Sequence, residues 1–122
     1  MAAKPPGYFV ARVVALAPDL FFASKIEATL RAAGHEVEIE SIAAEAIETS
    51  AGADVVIVDL HAPDLDTAAM VSALADKPLL GFYSHVDVET KEGAEAAGFD
   101  LVVPRSRMAR EMAGLVERLA SG

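Results

Sequence analysis

The stretch DVVIVDLHAPDLD, residues 54–66, decides the fold. Val55, Val56, Ile57 and Val58 are apolar at every position, so the segment has no polar face to turn toward water. A strand of this kind is buried on both sides, which requires a parallel sheet with helices above and below. The run stops at Asp59, and Pro63 breaks the chain soon afterwards. Two readings of Asp59 are open: it opens a turn, or it stands where something binds or reacts.

Working outward, Arg12 to Leu16 is a second apolar run rich in β-branched residues, and reads as a buried strand. Asp19 is placed to cap a helix over about 20 to 33, since a carboxylate accepts the N–H groups that the first turn leaves open. Phe22, Ile26, Leu30 and Ala33 share one face of that helix, and Gly34 supplies its left-handed stop. Phe21 cannot share that face, so it packs on the flank of the helix or marks a contact surface. Val37 and Ile39 alternate with Glu36, Glu38 and Glu40, the pattern of an edge strand with one face in water. A short helix over 42 to 50 then leads into the opening stretch.

Beyond it, Asp66 or Thr67 caps a helix reaching about Asp76, and Pro78 to Tyr83 is the fourth strand. Asp87 starts a helix that ends at Gly98, and Asp100 to Val103 is the fifth strand, closed by Pro104. Ser106 caps the last helix, whose buried stripe is Met108, Met112, Leu115 or Val116, and Leu119. Five strands alternating with five helices predict a three-layer α/β sandwich of flavodoxin-like type with right-handed crossovers. A one-faced edge strand second in sequence predicts the parallel order 2-1-3-4-5. Ligands of such sheets gather at the carboxyl ends of the strands, beside the reversal between strands 1 and 3. Asp19, Asp59 and His61 fall there, and the end of strand 4 adds Ser84, His85 and Asp87.

The chain has 122 residues, which suits one domain, and its 53% hydrophobic content suits a packed core. We expect residues 1–8, with their Pro-Pro-Gly, to form a flexible lead and residues 9–122 a single domain. The opening residues do not read as a signal peptide, and no apolar run is long enough to span a membrane. A cytoplasmic protein is therefore expected. Ten basic residues against nineteen acidic ones give a net charge of -9, which repels a phosphate backbone and argues against nucleic acid as a partner. The absence of cysteine excludes disulfides, thiolate metal sites and a Cys nucleophile. Ala-Pro-Asp-Leu-Phe-Phe follows strand 1 where a dinucleotide fold needs its glycines, and neither a Walker motif nor a Gly-x-Ser-x-Gly elbow occurs.

From about Arg12 to Ala120 the sequence resembles a receiver domain of a bacterial response regulator. Receivers carry a phosphoacceptor aspartate at the end of strand 3, then a proline and an acid; here these are Asp59, Pro63 and Asp64. Gly98-Phe-Asp-Leu-Val-Val-Pro-Arg is similar to the family's approach to strand 5. The chain departs from the pattern at the helpers. Where receivers end strand 1 with two acids that hold magnesium, Ala17 and Pro18 stand, with Asp19 one residue later. Where receivers have Lys-Pro, this chain has Pro104-Arg105, and the switching hydroxyl falls to Ser84 or Tyr83.

The resemblance thus implies a stand-alone signalling module, not an enzyme, with a degraded phosphorylation site and at most a weak Mg2+ site at Asp19 and Asp59. Its partners would be another protein or a sensor kinase, or a second copy in a homodimer. Two alternatives stay open. One is a working phosphoacceptor in a phosphorelay. The other is a small-molecule or metal-binding protein using the same cleft, with His61 and His85 joined by Asp59, Asp19 or Asp87.

Overall fold

The computed structural model describes residues 9–84 and 87–122. The expected lead at 1–8 and His85 lie outside the described residues. Strand β3 (Val55–Asp59) is buried from Val55 to Val58, and it occupies the centre of a five-stranded sheet of order β2-β1-β3-β4-β5. The other strands are β1 (Arg12–Leu16), β2 (Glu36–Glu40), β4 (Leu79–Tyr83) and β5 (Leu101–Pro104). Every neighbouring pair is parallel, as the uninterrupted apolar run demands.

The helices are α1 (Leu20–Ala32), α2 (Ala43–Thr49), α3 (Thr67–Ala73), α4 (Val88–Ala97) and α5 (Arg105–Ser121), with a 3-10 turn at Ser50–Gly52. Because side chains alternate across a strand, the sheet feeds two cores. Val13, Ala15, Val55 and Ile57 face Phe22, Ile26 and Leu30 of α1 and Met108, Met112, Leu115 and Val116 of α5. Val14, Leu16, Val56 and Val58 face Ala46, Met70, Leu74 and Ala94. Gly34 and Gly98 both take positive φ, 92° and 116°, where α1 and α4 turn back toward the sheet.

Three expectations at element ends need correction. Ser106 is exposed and caps nothing: α5 begins one residue earlier at Arg105, with Pro104 in the N-cap position. The fixed φ of proline, here -66°, sets the entry, and no side chain caps the helix. Leu119 is only half-buried. It packs with Ala120 against the rim of the core under α1 and α5, not inside it. Helix α3 ends at Ala73 because Leu74 leaves helical geometry (φ -117°, ψ 35°), short of Asp76. The short helix expected over about 42 to 50 and ending near Gly52 is α2, which runs on as the 3-10 turn to Gly52. Of the two readings of Phe21, packing on the flank of α1 does not hold: the residue is 91% exposed. No helix among the described residues is long and apolar enough to cross a membrane.

Candidate functional site

The carboxyl edge of the sheet collects the predicted site residues. Leu16 pairs with Val58, which sets Asp59 level with Ala17 and just before the loop that carries Asp19. Asp59 also registers with Phe82 of β4. It is half-buried, and its Oδ1 accepts the His61 N–H at 2.9 Å while its carbonyl accepts the Ala62 N–H at 3.0 Å. Asp59 therefore opens a tight turn, the plainer of its two readings, and that turn leaves the carboxylate at the sheet edge. Asp64 in the same loop has φ 59°, a left-handed conformation that Asp tolerates better than most residues.

Asp19 does two things at once. Its Oδ1 accepts the N–H groups of Phe21 at 2.9 Å and Phe22 at 3.2 Å, the N-cap expected from the sequence. Its Oδ2 accepts from Nη2 of Arg105 at 2.8 Å. Arg105 is thereby drawn across the top of the α1–α5 layer, its guanidinium 4.2 Å from the centroid of Phe22. Phe22 in turn packs on Phe82, ring centroids 4.9 Å apart. The Arg105 hydrogen bond, joined by the Phe22 N–H and the guanidinium charge, holds the Asp19 carboxyl below its ordinary range.

The remaining residues are dispersed around this pair. Asp87 caps α4 through the Thr90 N–H at 3.0 Å and its hydroxyl at 2.6 Å, and the hydroxyl bond above all keeps its carboxyl low, with a smaller contribution from His61. His61 is exposed, and Ser84 is half-buried just after β4. Among the described residues, no group of three or more His, Asp or Glu side chains is gathered as a metal would need.

The donor set suits Mg2+ poorly. Such an ion usually takes one or two carboxylates in an octahedral oxygen shell. Ala17 and Pro18 offer no side-chain oxygen, and both oxygens of Asp19 are engaged.

The pairing of Asp19 with Arg105 escapes a reading of the sequence, in which the two stand 86 residues apart. The usable signal is topological. Both follow strands on one sheet edge and both start helices of one layer, so an acid and a cation at those positions must come close. Beside them, a cleft of about 350 Å³ opens between α4 and β5, with Tyr83, Val88 and Pro104 as its apolar lining and Asp87, Lys91 and Glu92 among its polar residues.

No family model matches the chain, and no curated protein matches it. Solved structures do match. A response regulator receiver domain protein from Clostridium thermocellum superposes with a TM-score of 0.81 at 17% identity, covering 91% of this chain and 94% of that one. NtrX from Brucella abortus gives 0.82 at 16% identity, over 93% of this chain but 28% of that much longer one. A response regulator protein from Burkholderia pseudomallei, solved with a phosphorylated aspartic acid, a calcium ion and citrate, gives 0.75 at 17% identity, over 91% of this chain and 69% of that one. The fold is that of the CheY-like receiver domains, as the resemblance in the sequence implies.

Proposed function

We propose that the protein is a receiver-like signalling module, one domain over residues 9–122, that acts by binding another protein and has lost the machinery for efficient phosphorylation. The observation that carries this reading is the 2.8 Å bond between Arg105 and Asp19. In this arrangement Arg105, the cation beside the place of the receivers' lysine, is spent on Asp19, the acid beside the place of their metal ligands. A phosphoryl group approaching Asp59 meets a carboxylate at about 3 Å with little to screen the repulsion. Positioned cations and donors supply most of the stabilisation in such transfers.

Under this reading Asp59 marks the phosphoacceptor position, and Asp19, Arg105, Ser84, His61 and Asp87 line a cleft that no longer does chemistry of its own. Partners, including a sensor kinase or a second copy of the chain, meet the surface of α4, β5 and α5, about residues 87 to 120. The cleft at Tyr83, Val88 and Pro104 lies on that surface and supports the assignment. A cytoplasmic setting follows from such a role.

The second reading is a working phosphoacceptor. Asp59, Pro63 and Asp64 favour it, as does the phosphorylated aspartate of the Burkholderia neighbour. Incubation with acetyl phosphate and Mg2+, followed by intact-mass spectrometry, separates the two. Losing the metal acids and the lysine should slow the transfer about a thousandfold relative to a fully equipped receiver, roughly 4 kcal/mol of transition-state stabilisation. Rapid, Mg2+-dependent gain of one phosphoryl group, absent from Asp59→Ala, would favour the second reading.

A further inference from the structure

At the opposite edge of the sheet, His35 sits between Gly34 and β2, with its side chain only 1% exposed. Its Nδ1 lies 3.0 Å from the backbone nitrogen of Ala11. A backbone N–H can only donate, so Nδ1 must present a lone pair. A neutral ring with that lone pair carries its proton on Nε2, and Nε2 stands 2.8 Å from Oε2 of Glu117. Nε2 therefore donates to the carboxylate. The ring of Phe9 covers the imidazole edge-on, centroids 6.0 Å apart. One side chain thus ties together the residue that leads into β1, the residue that leads into β2, and the far end of α5.

Among the described residues, the surrounding charges leave Glu117 as the group that reaches the ring. From α1, Arg31 turns to Glu27 at 3.2 Å and to the Val37 carbonyl at 3.4 Å. On β1, Arg12 is exposed and its guanidinium lies beside Gly52; on β2, Glu36 is exposed, as is Arg118 on α5.

We propose that His35 is an acid-sensitive clasp, in which a second proton, taken at Nδ1, breaks the bond from Ala11 and loosens the junction of β1, β2 and α5. With that proton in place two N–H groups would face each other across 3.0 Å. The buried Ala11 N–H would then lack an acceptor, which a fold does not tolerate cheaply. Glu117 does not oppose the opening. Its carboxylate is 45% exposed, so a charged ring keeps that ion pair by swinging outward, away from Ala11. The clasp lies at the far edge from Asp59 and does not depend on the signalling role.

The test uses the full chain labelled with 15N. At about pH 7.5, long-range 1H–15N correlations of the imidazole should place the proton of His35 on Nε2. On moving to about pH 5.5, exchange of the Ala11 amide, corrected for its intrinsic pH dependence, should rise ~10-fold relative to that of Val56. His35→Asn keeps an oxygen near the Nδ1 position and cannot titrate, so its ratio should stay flat. A proton on Nδ1 at the higher pH, an unchanged ratio in the wild type, or an equal rise in His35→Asn would each overturn the proposal. The two wild-type readings decide the matter even if His35→Asn does not fold.

Discussion

The helical layers on the two sides of the sheet are built to different plans. One consists of α1 and α5, with 13 and 17 residues. The other consists of α2, α3 and α4, with 7, 7 and 10. The long helices drive Phe22, Ile26, Leu30, Met108, Met112, Leu115 and Val116 into their core. The short ones contribute mainly Ala46, Met70 and Ala94 from their helical turns.

Charge divides along the same line. Helices α1 and α5 carry Lys25, Arg31, Arg105, Arg107, Arg110 and Arg118 against Glu27, Glu111 and Glu117. Helices α2 and α4 carry Lys91 alone against Glu45, Glu48, Glu89, Glu92 and Glu95, and α3 is uncharged. A net charge of -9 therefore describes neither side of the molecule. The difference teaches that anchoring is concentrated in one layer and acidity in the other. A partner meeting the second layer meets shorter, less deeply rooted helices.

Truncation in the two cores tests this most directly. Met112→Ala should cost about 3–4 kcal/mol, because α5 is long and pinned along its length and cannot settle into the cavity. Met70→Ala should cost about 2 kcal/mol, since a two-turn helix collapses more easily onto the gap. Both methionines are 1% exposed, so the contrast isolates the layers from burial. Chemical denaturation measures both, and a larger loss at Met70 would break the comparison. Leu119→Ala, at the rim of the core under α1 and α5, should cost about 1 kcal/mol, in keeping with its partial burial. A loss as large as that at Met112 would show that α5 is anchored to its end.

The smallest effect sharpens the comparison at the point where α1 meets α5. Asp19 has its carboxyl held low by Arg105, so its contribution is present above the ordinary aspartate value of about 4 and is lost as pH falls through the lowered one. Arg105→Gln should lower stability slightly at neutral pH and flatten the loss of stability in that acid window. Both groups are partly exposed, and solvent screens the pair. Urea midpoints measured from about pH 7 to pH 2 for both proteins would show it, and identical acid limbs would mean that the pair adds nothing.

Local chemistry made the fold legible. Four consecutive apolar residues at Val55 to Val58 admit few arrangements, and Glu36, Glu38 and Glu40 mark an edge. Asp19, Asp66 and Asp87 cap their helices as their positions suggest, because capping involves only the next few residues. What stayed hidden is what depends on distant partners. The sequence shows Arg105 beside the place of the receivers' lysine and Asp19 as a helix cap with at most a weak metal site, but not that each satisfies the other. His35 gave no signal: its partners are a backbone N–H and a glutamate 82 residues away. Ser106 looked like a cap because serine usually is one, but Pro104 had already set the start of the helix.

The position of α5 at the end of the fold has a consequence for the order of assembly. A chain emerges from the ribosome N-terminus first. The strands and α1 to α4 all precede Arg105, so the second core has its full cover before α5 exists. The face carrying Val13, Ala15, Val55 and Ile57 has only α1 over it at that stage. Until Met108 to Val116 arrive, the nascent domain presents a half-covered apolar sheet face, the kind of surface on which incomplete chains associate.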